Sequence, residues 1–448
     1  MSGTTGRPPT GLPVSPQASP AAGLPVSPPV TPPTSPPAED ERRARLALTR
    51  LVEPGHRGVH HAVATLGAVE TERALRAGRA LPGISARLAA SAAVRAVAAD
   101  PAQDQARLEE CGGRLVCPGD EEWPECLDWG SDLTAAGGRT LEAPPLALFV
   151  RGRPRLAELV ERSVAVVGAR AATRYGEAVA AELAAGLVQR GWSVISGGAY
   201  GIDAAAHRGA LSVDAGVADG ALRDQGGDRS EWAATTVAVL ACGVDVAYPR
   251  GNERLLRQIA HEGLLVSELP PQARPTRIRF LVRNRLIAAL GLGTVVVQAA
   301  PRSGSLSTLN RAGTLGRHRM VVPGPVNDVT SAGCHQALRD DPMGVVLVTR
   351  VGEVLECVGR LGEDTVEPLR GPTHPRDGLP LTVLRVLEAV PVRRGAGEAV
   401  IASAAGVSGL TVQQVLPALH LAGLVQRHPQ GGWTLTTLGA GSPASSTN

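Results

Sequence analysis

Between Ser163 and Pro323 the chain alternates short β-branched runs with helical patterns, and this rhythm constrains its fold more than any other feature. The runs Ser163 to Gly168, Ser193 to Ser196, Thr236 to Ala241, Leu264 to Glu268, Thr294 to Ala299 and Arg319 to Val322 have the length and residue types of strands. They are apolar throughout, which predicts strands covered on both faces. The expectation is therefore an α/β fold: an extended Rossmann-like, doubly wound parallel sheet with crossover helices.

The 448 residues exceed one typical domain length, so further modules are expected around this block. Residues 1–39 are rich in Pro, Ser, Thr and Gly and repeat Gly-Leu-Pro-Val-Ser-Pro, a composition that buries too little surface to offset ordering entropy, so they read as a disordered tail. Residues 40–110 carry short helical patterns broken by Gly and Pro, such as Arg43 to Val52, Val59 to Leu66 and Val69 to Leu75, and read as a small helical module of SAM or helix-hairpin-helix type. Residues 111–360 hold the Rossmann-like domain, interrupted between Ser212 and Thr235 by a Gly-, Asp- and Ala-rich stretch that reads as a surface loop. A linker at 361–378 precedes residues 379–438, whose three helical patterns and terminal Gly-Gly-Trp-Thr-Leu predict a C-terminal winged helix, and 439–448 form a tail.

The chain contains no lysine; all 45 basic residues are arginine. A Walker A loop, a Schiff-base lysine and a lysine nucleophile are thereby excluded. The net charge of +3 argues against a tail-driven polyanion binder, so any basic site must be built by local clustering. Six cysteines (Cys111, Cys117, Cys126, Cys242, Cys334, Cys357) form no Cys-x-x-Cys pair and read as reduced thiols, and neither they nor His60 with His61 have zinc spacing, so no metal is expected. No apolar run reaches about 18 residues and the N-terminus lacks a signal pattern, so a cytoplasmic protein without a membrane partner is expected.

In a doubly wound sheet, ligands bind beyond the carboxyl ends of the strands. There the sequence places Gly168-Ala-Arg170, Ser196-Gly197-Gly198-Ala-Tyr-Gly201 and Ser303-Gly304-Ser305, each supplying small residues and donors for an anion. Neither Gly168 nor Gly197 begins a Gly-x-Gly-x-x-Gly spacing, which disfavours a dinucleotide, and no cofactor is expected. The strongest charge feature is Arg274, Arg277, Arg279, Arg283 and Arg285 around Phe280 and Asn284, and guanidinium forks at a helix start suit a phosphodiester backbone. A solvated charged face is the alternative. Asp203 and His207, four apart on one helix face, fit an acid/base pair or, with no nucleophile placed beside them, a helix cap and a packed neighbour.

These motifs resemble, in order over roughly Cys117 to Arg339, the DNA-processing protein A (DprA, or Smf) family. The resemblance rests on Val-Ala-Val-Val-Gly-Ala-Arg170 with Tyr175-Gly176, Ser196-Gly-Gly-Ala-Tyr-Gly-Ile-Asp203-Ala-Ala-Ala-His207, Cys242-Gly-Val-Asp-Val-Ala-Tyr248-Pro249, Ser267-Glu268, Phe280-Leu-Val-Arg283-Asn284-Arg285, Ser303-Gly304-Ser305-Leu306 and Val321-Val-Pro323-Gly324. It implies an extended Rossmann-like domain that binds single-stranded DNA in a basic pocket, forms a homodimer and loads the recombinase RecA in natural transformation and recombination, without catalysis. Leu281 stands where the family often has proline, and Gln298 where an acidic residue commonly ends the strand.

On this reading Arg170, Arg283 and Arg285 grip phosphates. Gly168, the Ser196–Gly198 turn, Asn284 and the Ser303–Ser305 turn would donate hydrogen bonds, with Asp203, His207, Tyr248 and Phe280 in support. Two rivals remain. One is a nucleoside-monophosphate phosphoribohydrolase of a related fold, although Ser303 to Ala312 lacks the catalytic glutamate of that group. The other is a duplex-binding regulator acting through the winged helix, although its recognition helix near Thr411 to Leu421 carries no arginine.

Overall fold

The computed structural model describes residues 37–130, 134, 140–213, 235–360, 364 and 376–438. Residues 1–36 of the Pro-rich tail, most of the 212–235 insertion, most of the 361–378 linker and the 439–448 tail lie outside the described residues, and Glu39, expected as the end of the tail, already belongs to the first helix. The chain divides into two units, Met1–Val366 and Glu367–Asn448.

The first unit begins with five helices: α1 (Glu39–Leu51), α2 (Arg57–Leu66), α3 (Ala68–Arg76), α4 (Ala86–Ala96) and α5 (Pro101–Glu110). Their starts follow capping chemistry. Glu39, Asp40 and Glu41 place negative charge at the amino end of α1, Ser85 accepts from the Leu88 N–H at α4, and Asp100 accepts from Ala102 and Gln103 ahead of Pro101 at α5. Ala44, Leu48 and Leu51 of α1 pack with Val59, Val63, Leu75 and Ala89 into the core of the helical module. Leu46 and Leu108 belong to a different cluster, shared with Phe149, Ala238 and Leu265 of the sheet, so the module is packed onto the sheet edge.

The sheet elements follow as β1 (Gly113–Val116), β2 (Leu148–Arg151), α6 (Leu156–Glu161), β3 (Ser163–Val167), α7 (Arg174–Val188), β4 (Ser193–Ser196), α8 (Ile202–Leu211) and β5 (Thr236–Val239). Then come α9 (Glu253–Glu262), β6 (Leu264–Ser267), α10 (Arg277–Leu290), β7 (Gly293–Val296), α11 (Gly304–Thr314), β8 (His318–Val321), α12 (Val329–Asp340), β9 (Val346–Leu347) and α13 (Val351–Val358). The nine strands are ordered β1-β2-β6-β5-β4-β3-β7-β8-β9. From β6 to β9 every pairing is parallel, whereas β2 pairs antiparallel with β6, and β1 with β2.

The six predicted strands are present; β4 ends at Ser196 as expected, and the other five end one to three residues earlier than the sequence runs, where the chain turns toward the helices. The antiparallel pair β1 and β2 and the short β9 are additions that the sequence pattern did not indicate. Residues of β3 alternate between two cores: Ala165 and Val167 face one side with Ile195 and Val239, while Val164 and Val166 face the other with Leu183, Trp192 and Val194. That two-sided burial explains the unbroken apolar runs.

The chain moves outward from β3 to β6 on one side and then returns past β3 to β7. This creates a reversal of strand order at the carboxyl ends of β3 and β7, where such sheets open a crevice. No single helix among the described residues is long and apolar enough to cross a membrane.

The second unit contains α14 (Leu381–Glu388), α15 (Glu398–Ala405) and α16 (Gly409–Leu421), then a hairpin of β10 (Val425–Arg427) and β11 (Trp433–Leu435). Val386, Ile401, Val412, Leu416 and Trp433 form its core. His420 is tied down: its Nδ1 lies 2.9 Å from the Val425 carbonyl and its ring stands edge-on to Trp433. Arg427 stacks 4.0 Å over the same indole.

Helices α7 and α8 approach so closely that a Cβ at Gly209 would lie 2.2 Å from the Ala181 carbonyl oxygen. A Gly209→Val substitution is expected to destabilise the first unit by about 1–3 kcal/mol or more through overpacking, read as a lowered urea midpoint with an unchanged m-value.

Candidate nucleic-acid interface

Three carboxyl-end turns meet beside α10. After β4 the chain makes the turn Gly197–Gly201, with Gly198 at φ 66° and Gly201 at φ 73°, a left-handed backbone that favours glycine. Gly201 sits against the preceding turn: a Cβ there would be 2.3 Å from the Ala169 carbonyl, which accepts the Ile202 N–H at 3.2 Å. Asn252 braces the same turn from the other side, its Nδ2 donating to the carbonyls of Gly198 and Ala199, each at 3.0 Å.

Against these turns lies a pocket of about 390 Å³, lined by Arg170, Gly197, Ala199, Tyr200, Leu240, Ala241, Cys242, Tyr248, Pro249 and Phe280. Thr276 caps α10 by accepting the Arg279 N–H at 3.3 Å, which aims Phe280 at the mouth. The Tyr248 ring packs 5.7 Å from that of Phe280, and the Arg170 guanidinium stands 4.7 Å over the Phe280 face. Arg170 is exposed and has no hydrogen bond or ion pair among the described residues. The pocket thus combines a free cation, aromatic faces (Tyr200, Tyr248, Phe280) and an apolar floor.

Arg283 serves a different purpose from the one its sequence context suggests. It is buried, and its Nη1 donates to the Gly197 carbonyl at 2.9 Å and to that of Val239, bracing the ends of β4 and β5 from behind the turn. A Cβ at Gly197 would lie 2.3 Å from that nitrogen, so only glycine fits. Burial lowers the Arg283 pKa to about 10, against the opposing pull of Asp203. Asp203 is itself raised by burial, with Arg283 pulling it back down. It does not cap α8, whose N-cap is Gly201; its Oδ2 accepts the Ala199 N–H at 3.4 Å.

Arg285 is a correction. It is fully buried, and its Nη2 donates to both carboxylate oxygens of Glu268, at 2.7 and 2.8 Å, with Trp129 5.6 Å away. Two residues along a helix is a turn of about 200°, so Arg285 faces away from Arg283 and cannot reach a phosphate in the pocket. Ser196 is likewise buried, its hydroxyl donating to the Val166 carbonyl at 2.6 Å. Gly168 permits the approach of Ile202, since a Cβ there would sit 2.6 Å from the Ile202 side chain.

The Ser303–Ser305 turn does not line the pocket. Ser303 caps α11, the two serine hydroxyls lie 2.7 Å apart, and Asn284 ties α10 to this turn by donating to the Gly304 carbonyl at 3.2 Å. Its exposed Gly304 and the amino end of α11 form a second, adjoining donor surface.

His207 is completely buried with Nδ1 2.7 Å from Thr236 Oγ1. The Thr236 hydroxyl proton is committed to the Val194 carbonyl at 2.8 Å, so Nδ1 carries the imidazole proton and donates to Thr236. Nε2 is then an acceptor with no partner among the described residues, and burial, reinforced by Arg283, holds the pKa at about 3. A ring locked and neutral in this way is a packed neighbour, not a proton shuttle open to substrate.

Of the two departures, Leu281 is half-exposed, and Gln298 is buried. Its Oε1 accepts the Thr173 N–H at 3.0 Å and its Nε2 donates to the hydroxyls of Thr173 and Thr330 at 2.9 and 3.1 Å, joining the starts of α7 and α12. The six cysteines are free, and burial raises the thiols of Cys117 and Cys242 to about 12. Among the described residues no three His, Cys, Asp or Glu side chains gather as a metal site would require. Tyr200, Leu240 and Asn252 were missed as site residues; an aromatic between glycines at a strand end was the available signal for Tyr200.

The fold and pocket define a Rossmann-like α/β protein with a pocket lined by an arginine and three aromatic rings at the carboxyl ends of its strands. The chain belongs to the DNA recombination-mediator protein A family, whose description it matches over residues 114–359. It is 42% identical over 410 residues to a Mycobacterium tuberculosis protein named as a DNA processing protein DprA, covering 90% of this chain and 96% of that one. It is 37% identical over 211 residues to the DNA processing protein DprA of Streptococcus pneumoniae, covering 47% of this chain and 66% of that one. The X-ray structure of DNA processing protein A from Streptococcus pneumoniae superposes with a TM-score of 0.54 at 27% identity, over 72% of this chain and 99% of that one.

Two stability predictions separate the buried groups from the pocket. Arg285→Ala leaves the Glu268 carboxylate buried and unpaired and is expected to cost about 3–5 kcal/mol by thermal or urea unfolding, whereas Arg170→Ala changes stability little. His207 has a folded pKa below its unfolded value, so the unfolded chain binds more protons as pH falls below about 6.5, and stability drops by about 1.4 kcal/mol per pH unit from this group. A His207→Gln variant should show a correspondingly shallower acid slope between pH 6 and 4 than the parent, which His60 and the carboxylates continue to affect.

Proposed function

We propose that this protein binds single-stranded DNA with little sequence preference in the Arg170–Phe280 pocket. The observation that carries the reading is Arg170: an exposed guanidinium with no ionic partner among the described residues, stacked on an aromatic ring at the mouth of a pocket walled by two tyrosines. A phosphate would meet Arg170 and a base would stack on Phe280, Tyr248 or Tyr200, a combination suited to an unpaired strand, whose base faces are open, and not to a duplex, whose faces are covered. Exposed Arg250, next to the pocket's Pro249, and Arg277, one helical turn before Phe280, extend the cationic rim. The Gly304 surface would take a further phosphate. Arg283, Asp203 and His207 shape the turns and do not touch the strand.

Family membership supports the wider role: a cytoplasmic homodimer that protects exposed or incoming single strands and loads RecA in recombination and natural transformation. The second unit, with its helices and hairpin, is proposed to be a winged helix. Its third helix carries Gln413 and Gln414 but no arginine, which favours an accessory role over duplex readout.

Fluorescence anisotropy with a labelled single strand and its matching duplex, across a salt series, tests the reading. Single-strand preference is expected. Phe280→Ala should cost about 1–3 kcal/mol of binding, and Arg170→Ala should weaken binding and flatten the salt slope by about 0.7. Equal affinity for duplex, or unchanged binding in both variants, contradicts it.

A further inference from the structure

Arg279 stands directly before Phe280 in the first turn of α10, yet its charge is already taken. Its Nε and Nη2 donate to the two carboxylate oxygens of Glu53 at 2.9 and 3.0 Å, and its Nη1 donates to the Arg274 carbonyl at 2.7 Å. Glu53 comes from the helical module, just past the end of α1, 226 residues away in sequence. It also lines a separate hollow of about 340 Å³ between that module and the sheet. On the other side, the Cys242 thiol, which forms part of the pocket wall, lies in the electrostatic field of both Arg283 and Arg279. The Glu53–Arg279 pair therefore joins the helical module to the rim of the pocket.

We propose that Arg279 is a further phosphate-binding residue, held in reserve by Glu53, which occupies its fork as a phosphate would. The proposal rests on the single-strand reading of the pocket. A carboxylate and a phosphate both present paired oxygens to a guanidinium, so one replaces the other without moving the arginine. The pair is open to water, with the Glu53 side chain 48% and the Arg279 side chain 21% exposed. Ion pairs this accessible are weak and salt-screened, and a polyanion entering the pocket competes for the fork. Arg95, with Nη2 4.0 Å from a Glu53 oxygen, offers the displaced carboxylate another cation. The helical module thus tempers the affinity of the Rossmann-like domain by masking one cation beside its stacking ring. By contrast the other α10 arginine pair, Arg285–Glu268, is buried and cannot be exchanged.

The test uses the full chain and a fluorescein-labelled oligothymidylate in an anisotropy salt series. Glu53→Gln removes the charge while keeping the size, and Glu53→Ala covers the case in which the amide holds Arg279 by itself. Both are expected to tighten binding about threefold or more and to steepen the slope of log affinity against log salt by about 0.7, one extra phosphate contact on a single strand. Arg279→Ala should weaken binding, and Glu53→Gln combined with Arg279→Ala should show neither the gain nor the steeper slope. Parental affinity and slope in both Glu53 variants overturn the proposal. So does an equal gain in the double variant, which would mean that Glu53 repels the strand directly. If the parent itself does not bind the oligonucleotide, the pocket reading falls and this inference with it; if the parent binds and the Glu53 variants match it, only this inference falls.

Discussion

The site depends on one buried guanidinium. Arg283 enters from α10 behind the ends of two parallel strands and holds the carbonyls of Gly197 and Val239, which otherwise would point into an apolar interior without partners. Parallel strands leave their last carbonyls unsatisfied where the chain turns away, and here a single planar fork, balanced by the buried Asp203 carboxylate, meets two of them. Because the fork occupies the space where a side chain at Gly197 would be, the turn must be glycine, and because the turn is glycine, α8 and the preceding Ala169–Arg170 turn can close on it. Arg170 and Phe280 are consequences of that closure.

The three arginines of α10 nearest Phe280, Arg279, Arg283 and Arg285, illustrate how one helix sorts identical residue types. Arg283 braces the turn, Arg285 is buried with Glu268 beneath the helical module, and Arg279 reaches that same module at its surface through Glu53. Thus α10 adds polar links between the pocket and the amino-terminal helices to the direct packing of those helices on the sheet. Its buried pairs cost desolvation and contribute a fixed arrangement in return; its exposed pair is exchangeable. Rigid turns behind a pocket with one free cation and three aromatic rings suit a ligand of repeating phosphates and flat bases better than a compact one.

Much of the fold was legible because parallel strands buried on both faces leave uninterrupted apolar runs, and the six runs between Ser163 and Val322 carry that mark. The antiparallel strands β1 and β2 were not legible, since Gly113–Val116 and Leu148–Arg151 are short and lie at an edge, where alternation is weak and composition resembles a loop. Of the residues expected from strand ends and a helix start, Gly197, Arg170, Tyr248 and Phe280 line the pocket. Ser196 and the Ser303–Ser305 turn do stand at strand ends, and Arg285 is two residues from Arg283, but strand-end position and sequence proximity do not decide which side chains reach the pocket.

The sequence by itself determined the parallel part of the sheet, the exclusion of lysine chemistry, the positions of the glycine-rich strand-end turns and the family, because these depend on residue type, period and local order. Only the tertiary structure decided which arginines are free. Whether a guanidinium meets solvent, a carbonyl or a carboxylate depends on partners brought from far along the chain, such as Gly197 for Arg283, Glu53 for Arg279 and Phe280 for Arg170. Charge is a property of the residue, but its availability is a property of the packing around it.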